Sequence, residues 1–322
     1  MAILVYTESE NGKLKKAAFE VASYAKGLAN MMDTSVTAVT INADNVEELK
    51  RYGVEKVLKV SNEQLSKFNA DAYAEIVAQA SKKEQAKVVV ISQSANAKYL
   101  APLLAINLEA GYASNVVNLP KLEEGFHVER TAFTNKAFNI TSISTDVKII
   151  GLSSNAFGLK ENEVSLTEEE FSPELSDDNF KIDVVSVDKN KDKVSIADAE
   201  VVVSAGRGMK GPEHWGMIEE LADVLNAATA CSKPVSDMGW RSHGEHVGQT
   251  GKPVATNLYI AIGISGAIQH LAGISASKNK VVINSDPEAP FFKAADYGVV
   301  GDAFEVVPQL IEKLKEFKAN NS

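Results

Sequence analysis

Glycines and small polar residues gather at four places toward the C-terminal end of this 322-residue chain, most of them following an apolar run. Ligands of open α/β sheets bind beyond the carboxyl ends of the strands, so such places are where chemistry is expected. The first is Ser204-Ala205-Gly206-Arg207-Gly208. Its two glycines let backbone amides approach a ligand, and Arg207 offers a planar donor fork suited to phosphate. By itself this carries little, because Gly-X-Gly turns arise in many proteins for backbone reasons. The second, Val247-Gly248-Gln249-Thr250-Gly251, suits a loop presenting amides and a hydroxyl to a polar ring edge, although a plain connection has the same texture. The third, Gly263-Ile264-Ser265-Gly266-Ala267-Ile268-Gln269-His270, runs out of an apolar stretch. Here Ser265 is expected to cap a helix whose first free N–H groups face an anion, with His270 about one and a half turns further in. The fourth, Asn284-Ser285-Asp286-Pro287-Glu288-Ala289-Pro290, is a strand end followed by turn chemistry. Beyond it Asp302 could accept hydrogen bonds from a ribose or adenine.

Other chemistries are disfavoured. Five histidines and a single cysteine, Cys231, show no metal-ligand spacing, and there is neither a Gly-X-Ser-X-Gly elbow nor a P-loop. His243 and His246 are read as loop residues. The glycine clusters are read as failing the single Gly-X-Gly-X-X-Gly pattern, which argues against a generic nicotinamide dehydrogenase. A net charge of −10, from 33 basic and 43 acidic residues, discourages nucleic-acid binding. One cysteine permits no intrachain disulfide and favours a reducing compartment. No secretory signal, transit peptide or membrane span is visible, so a bacterial-type cytoplasmic protein with no membrane insertion is expected.

The elements that must position these residues alternate regularly. Strands at Ile3–Tyr6, Val36–Ile41, Val57–Val60 and Val88–Ile91 are separated by helical patterns at Leu14–Met31, Asn45–Arg51, Ala70–Ala80 and Ala97–Leu108. That predicts a doubly wound parallel sheet covered on both faces. From Val116 to about Val187, strand-like segments without long helices are read as a β extension of this first domain. The charged, apolar-free run Asp188–Lys193 is the linker candidate. A second, Rossmann-like α/β domain follows, with strands at Val201–Ser204, Tyr259–Ile262, Lys280–Ile283 and Tyr297–Val300, and helices at Glu213–Ala227 and Val307–Phe317. The expected organisation is therefore 1–187, a hinge at 188–193, and 194–322.

In order and in wording, the four clusters together with Leu258-Tyr259-Ile260-Ala261 and Leu271-Ala272-Gly273 resemble the C-terminal FAD domain of electron-transferring flavoprotein α subunits. The N-terminal domain resembles that family in its strand–helix texture. The resemblance implies FAD as cofactor and a role for each matching position. Arg207, Ser232 and Ser265 would hold the pyrophosphate region, and Asn284 and Asp302 the adenosine end. Gln249 and Thr250 would lie against the flavin and its ribityl chain, in a loop with Val247 and Gly248. His270 would reach the pyrimidine edge, with Gly266, Ala267, Ile268 and Gln269 of the same run lining the site. Where the family usually has an arginine facing the flavin, this chain has Lys233, which keeps the charge and loses the planar fork.

The same resemblance implies an electron carrier without a substrate of its own, paired with a β subunit as a heterodimer. It would take electrons from acyl-CoA dehydrogenases in fatty acid β-oxidation and deliver them to a membrane quinone oxidoreductase. Rival readings are an electron-bifurcating or nitrogen-fixation homologue, a stand-alone FAD- or NAD-binding oxidoreductase, and a nucleotide-binding regulatory module.

Overall fold

The computed structural model describes residues 2–133, 137–187, 196 and 199–321. These form two compact units, one drawn from 1–132 and 138–188, the other from 133–137 and 189–322. The linker expected at Asp188–Lys193 lies outside the described residues.

The first unit is organised by β1 (Ala2–Thr7), all six residues of which are buried. A strand covered on both faces reads as an unbroken apolar run, and Ile3-Leu4-Val5-Tyr6 is one. A short hairpin, β2 (Ser9–Glu10) and β3 (Lys13–Leu14), leads into α1 (Lys16–Met32). α1 stops where Asp33 turns left-handed at φ 49° and returns its N–H to Ala29. Then follow β4 (Ser35–Ile41), β5 (Lys56–Val60), α2 (Ala70–Lys83), β6 (Val88–Ser92) and α3 (Ala95–Asn107). Asn69 and Ser94 start α2 and α3 by accepting N–H bonds from the first turn. The remaining strands are β7 (Gly111–Val116), β8 (His127–Ala132), β9 (Ala137–Ser142), β10 (Lys148–Leu152) and β11 (Thr167–Glu170). All but the hairpin join one nine-stranded sheet, ordered β11-β5-β4-β1-β6-β10-β7-β8-β9.

The stretch expected as a β extension is thus woven into the main sheet. β10 pairs in parallel with both β6 and β7, and β11 pairs in parallel with β5 near the other edge. Ile149, Ile150, Gly151 and Leu152 are all buried, which demands cover on both faces and places β10 inside the sheet. α1 covers one face, packing Val21, Tyr24 and Leu28 with Ile3, Val5 and Val36. α2 and α3 cover the other, packing Ile76, Leu100 and Leu104 with Leu4, Val89 and Ile149. The doubly wound α/β architecture is as the sequence predicts.

The second unit comprises β12 (Val201–Ala205), α4 (Gly216–Leu225), β13 (Ala228–Cys231), α5 (Lys233–Asp237), β14 (Leu258–Ile262), α6 (Ile268–Ile274), β15 (Asn279–Asn284), β16 (Tyr297–Val300) and α7 (Ala303–Asn320). Its five strands are parallel, ordered β13-β12-β14-β15-β16. The chain leaves β12 for β13 on one side, then crosses back to β14 on the other. The winding therefore reverses between β12 and β14, and a ligand crevice is expected beyond their carboxyl ends. One face packs Ile218 and Leu221 of α4 and Val307 and Ile311 of α7 against Val203 and Ile262. The other packs Val247, Ile264 and Phe291 against Val202 and Tyr259.

In this unit two helix boundaries and one strand depart from expectation. The helix predicted over Glu213–Ala227 begins as a 3₁₀ turn at Pro212–His214, and α4 proper starts at Gly216. β13 was not anticipated. α7 starts at Ala303, four residues early, because Asp302 accepts the Phe304 N–H as its N-cap. Among the described residues, no helix is long and apolar enough to cross a membrane, and no cluster of side chains could hold a metal ion.

Candidate functional site

At the reversal point of the second unit the strand ends frame a cleft of about 480 Å³, within the size range of small-molecule and cofactor sites. Four of the five strand ends contribute. Arg207 and Gly208 follow β12, Ser232 and Lys233 follow β13, Ser265, Ala267, Gln269 and His270 follow β14, and Asn284 ends β15. The loop Val247-Gly248-Gln249-Thr250 completes the lining. Of the sequence-predicted residues, Gly266, Ile268 and Asp302 are not in that lining. Gly266 is buried against the Phe291 backbone, and Ile268 is exposed. Asp302 caps α7, its Oδ1 accepting the Phe304 N–H, and its side chain is half exposed.

The floor is bare backbone. Gly208 donates its N–H to the Gly263 carbonyl at 3.1 Å. A β-carbon on Gly208 would lie 2.6 Å from the Gly263 Cα, closer than packed carbon atoms come. The strand ends can approach this closely only because neither position carries a side chain.

Above the floor, Arg207, Lys233, Gln249, Thr250 and Ser265 are exposed. Among the described residues nothing pairs with the Arg207 guanidinium or the Lys233 ammonium, so both are available to an anionic ligand. Ser232 heads α5 and is nearly buried, its N–H held by the Ala205 carbonyl. Gln249 is fixed through its backbone, which donates to the Gln269 carbonyl at 2.8 Å. Asn284 spends its side chain on the protein, donating to the Ile264 carbonyl and accepting from the Asp286 N–H. Ser265 does not cap a helix: α6 begins at Ile268, with Ala267 at the cap position and no side-chain cap bond. His270 is accordingly in the first turn and not one and a half turns in.

His270 is 6% exposed, and its Nε2 lies 2.9 Å from the Tyr259 hydroxyl. Burial raises the Tyr259 phenol, so it stays protonated and is able to donate to Nε2 in the imidazole tautomer that carries its proton on Nδ1. The imidazole proton is then on Nδ1, which is buried beside Val247 without a hydrogen bond of good geometry. Burial, reinforced by the neighbouring His246, pushes His270 down to about 4. The ring is therefore neutral and adds no positive charge to the site. Lys233 alone supplies that at the end of β13. The Cys231 thiol behind it is pushed up to about 12 by burial and stays protonated.

Sequence reasoning missed His246, which lines the cleft and is 7% exposed although it was read as a loop residue. It also missed Asp286, Ile264 and Pro234 as lining residues. A further correction concerns the glycines: Gly206, Gly208 and Gly211 do have Gly-X-Gly-X-X-Gly spacing directly after β12. Two features separate them from the nicotinamide-binding form. They open on a 3₁₀ turn at Arg207–Met209 instead of a helix, and the next strand is followed by Ser232-Lys233 where a ribose-binding carboxylate is required.

The residues present fit FAD. Two unpaired cations suit a diphosphate, a side-chain-free floor admits close approach, and His270 holds an unpartnered buried donor. The sequence comparisons agree. Residues 195–275 match the model of the electron transfer flavoprotein FAD-binding domain, and residues 3–176 match that of the electron transfer flavoprotein domain. The electron transfer flavoprotein subunit alpha of Thermoanaerobacterium thermosaccharolyticum is 36% identical, covering 98% of both chains. That of Bacillus subtilis is 35% identical over 99% of both. The acryloyl-CoA reductase electron transfer subunit beta of Anaerotignum propionicum is 31% identical, over 98% of this chain and 96% of its own. The geometry and the comparisons converge: the chain belongs to the electron transfer flavoprotein family as an α subunit, an electron carrier that binds FAD.

Proposed function

We propose that the chain, joined to a β subunit, accepts electrons from acyl-CoA dehydrogenases of fatty acid β-oxidation and passes them to a membrane quinone oxidoreductase. The observation that carries the carrier role is the cleft itself, where side chains that bind and tune a cofactor converge at the sheet's reversal point. Acyl-CoA chemistry is supported by the relative whose name ties it to acryloyl-CoA reductase. Arg207, Ser232 and Ser265 would hold the pyrophosphate, Gln249 and Thr250 the flavin and ribityl chain, and Asn284 and Asp302 the adenosine side. When bound, FAD supplies the reversible electron acceptor, and the protein contributes orientation and electrostatics. His270 presents its Nδ1 proton as a neutral hydrogen-bond donor, oriented by Tyr259 from behind. Lys233 places a full positive charge at the rim.

Co-expression with the partner subunit is expected to yield a yellow complex that an acyl-CoA dehydrogenase bleaches once its acyl-CoA is added. Bleaching by NADH and not by the dehydrogenase would favour the electron-bifurcating reading; a colourless complex would overturn the FAD assignment. Within a yellow complex, Lys233→Gln should lower the flavin midpoint potential by tens of millivolts, because a cation near the ring favours added electrons. Lys233→Arg should restore it. Equal potentials in all three proteins would remove Lys233 from the tuning role.

A further inference from the structure

His246 stands at the base of the loop that carries Gln249 and Thr250. Its backbone forms a parallel bridge with Cys231 at the end of β13, and its carbonyl accepts the Lys252 N–H at 2.8 Å. Val247 bridges Lys252 in turn, so the segment 246–252 closes around the ring. A β-carbon at Gly251 would lie 2.8 Å from the His246 Cγ and Nδ1, and one at Gly248 would lie 3.3 Å from Nε2. The imidazole is therefore wedged inside the turn and held against the cleft it lines.

The charges around it are mixed. From α5, Asp237 favours the His246 cation and Lys233 opposes it; His243 of its own segment also opposes it. Glu245, next to it in sequence, is turned to Arg241. On the α6 side stands His270, which is neutral and adds no charge. Desolvation is the largest influence and lowers the His246 pKa from its ordinary value. Near neutral pH the ring is uncharged because desolvation outweighs the pull of Asp237, and a negative charge added in the cleft would act in the same direction as Asp237.

We propose that His246 is the charge-compensating residue of the cleft, taking up one proton as the bound cofactor gains an electron. The electron comes from the donor flavoprotein that the carrier serves. The proton comes from bulk water and binds the free imidazole nitrogen, so the net charge of the site is unchanged; both leave on reoxidation. His270 is less suited to this, because desolvation holds it down to about 4 and its Nε2 is committed to Tyr259. The inference rests on FAD occupying this cleft.

The test uses the FAD-loaded complex, wild type and His246→Gln, and follows the one-electron midpoint potential between about pH 5 and 8. In the wild type each tenfold fall in proton activity should lower the potential by up to ~59 mV, the one-electron equivalent of a tenfold change in equilibrium constant. In His246→Gln the line should be nearly flat. Parallel lines in two flavin-loaded proteins would overturn the role of His246 alone, whereas a wild-type complex without flavin would overturn the cofactor reading with it. Should the variant fail to fold, nuclear magnetic resonance titration of labelled histidines in the wild-type complex decides the matter. The His246 midpoint should rise when the complex is fully reduced, and equal midpoints in the two states would sink the proposal.

Discussion

Gly273→Ala should weaken FAD binding about 100-fold and destabilise the second unit by about 1–3 kcal/mol. In an isolated helix the same change would stabilise by up to about 1 kcal/mol, since alanine is the better helix former. The sign therefore depends on packing. A β-carbon at Gly273 would lie 2.5 Å from the Gly248 Cα, 2.7 Å from its N and 2.8 Å from its carbonyl carbon. All three are backbone atoms, so no side chain can swing aside. The loop is also tied to α6 on both flanks, by Gln249 N–H to the Gln269 carbonyl and by Val254 N–H to the Gly273 carbonyl, each at 2.8 Å. Relief requires either the loop to retreat with Gln249 and Thr250 or α6 to retreat with His270. Both movements are on the order of 1 Å, enough to cost about two orders of magnitude where geometry is preorganised. Fluorescence titration with FAD and urea unfolding measure the two effects. A variant that binds FAD normally and is more stable than wild type would show that the loop and α6 do not touch.

Much of the cleft was legible because its demands are local. A ligand that approaches bare backbone requires glycine, and the Gly-Gln-Thr-Gly and Gly-Ile-Ser-Gly runs announce themselves without knowledge of the sheet. His246 was not legible because its burial is non-local. A histidine two residues before a glycine turn looks solvated until Cys231, far back in sequence, pairs with it at the end of β13. Strand order was hidden for the same reason. Nothing in Lys148-Ile149-Ile150 says which neighbours it will have, only that both faces are covered. Asp302 is the opposite case, where the signal for a helix cap was present in the sequence. An aspartate three residues before Glu305, at the head of an apolar helical pattern, has the spacing of an N-terminal cap. The three glycines from Gly206 to Gly211 were likewise visible as a fingerprint, but only the strand end at Ser232-Lys233 shows why they do not specify a nicotinamide cofactor.

His270 makes the second unit acid-sensitive, and the sign follows from its direction of shift. The unfolded chain protonates this imidazole near 6.5, whereas the folded protein resists until about 4. Between those values the unfolded state binds more protons, so stability falls as pH falls through that window and is fully present above it. The lost stabilisation is about 3 kcal/mol by the low end, at ~1.4 kcal/mol per pH unit. Carboxylates titrate in the same range, so the wild-type curve alone cannot isolate one residue. The difference between wild type and His270→Asn can, because every other group is common to both. Asparagine retains an acceptor for Tyr259 and cannot titrate, so this variant should be less stable at neutral pH, having lost packing and orientation. As the pH is lowered the gap should close, and near pH 4 most of the wild-type advantage should be gone. Urea unfolding of the two proteins across that range measures the gap directly. Were it constant with pH, His270 would have to be protonating freely in the folded state, and its neutrality beneath the flavin site would have to be abandoned.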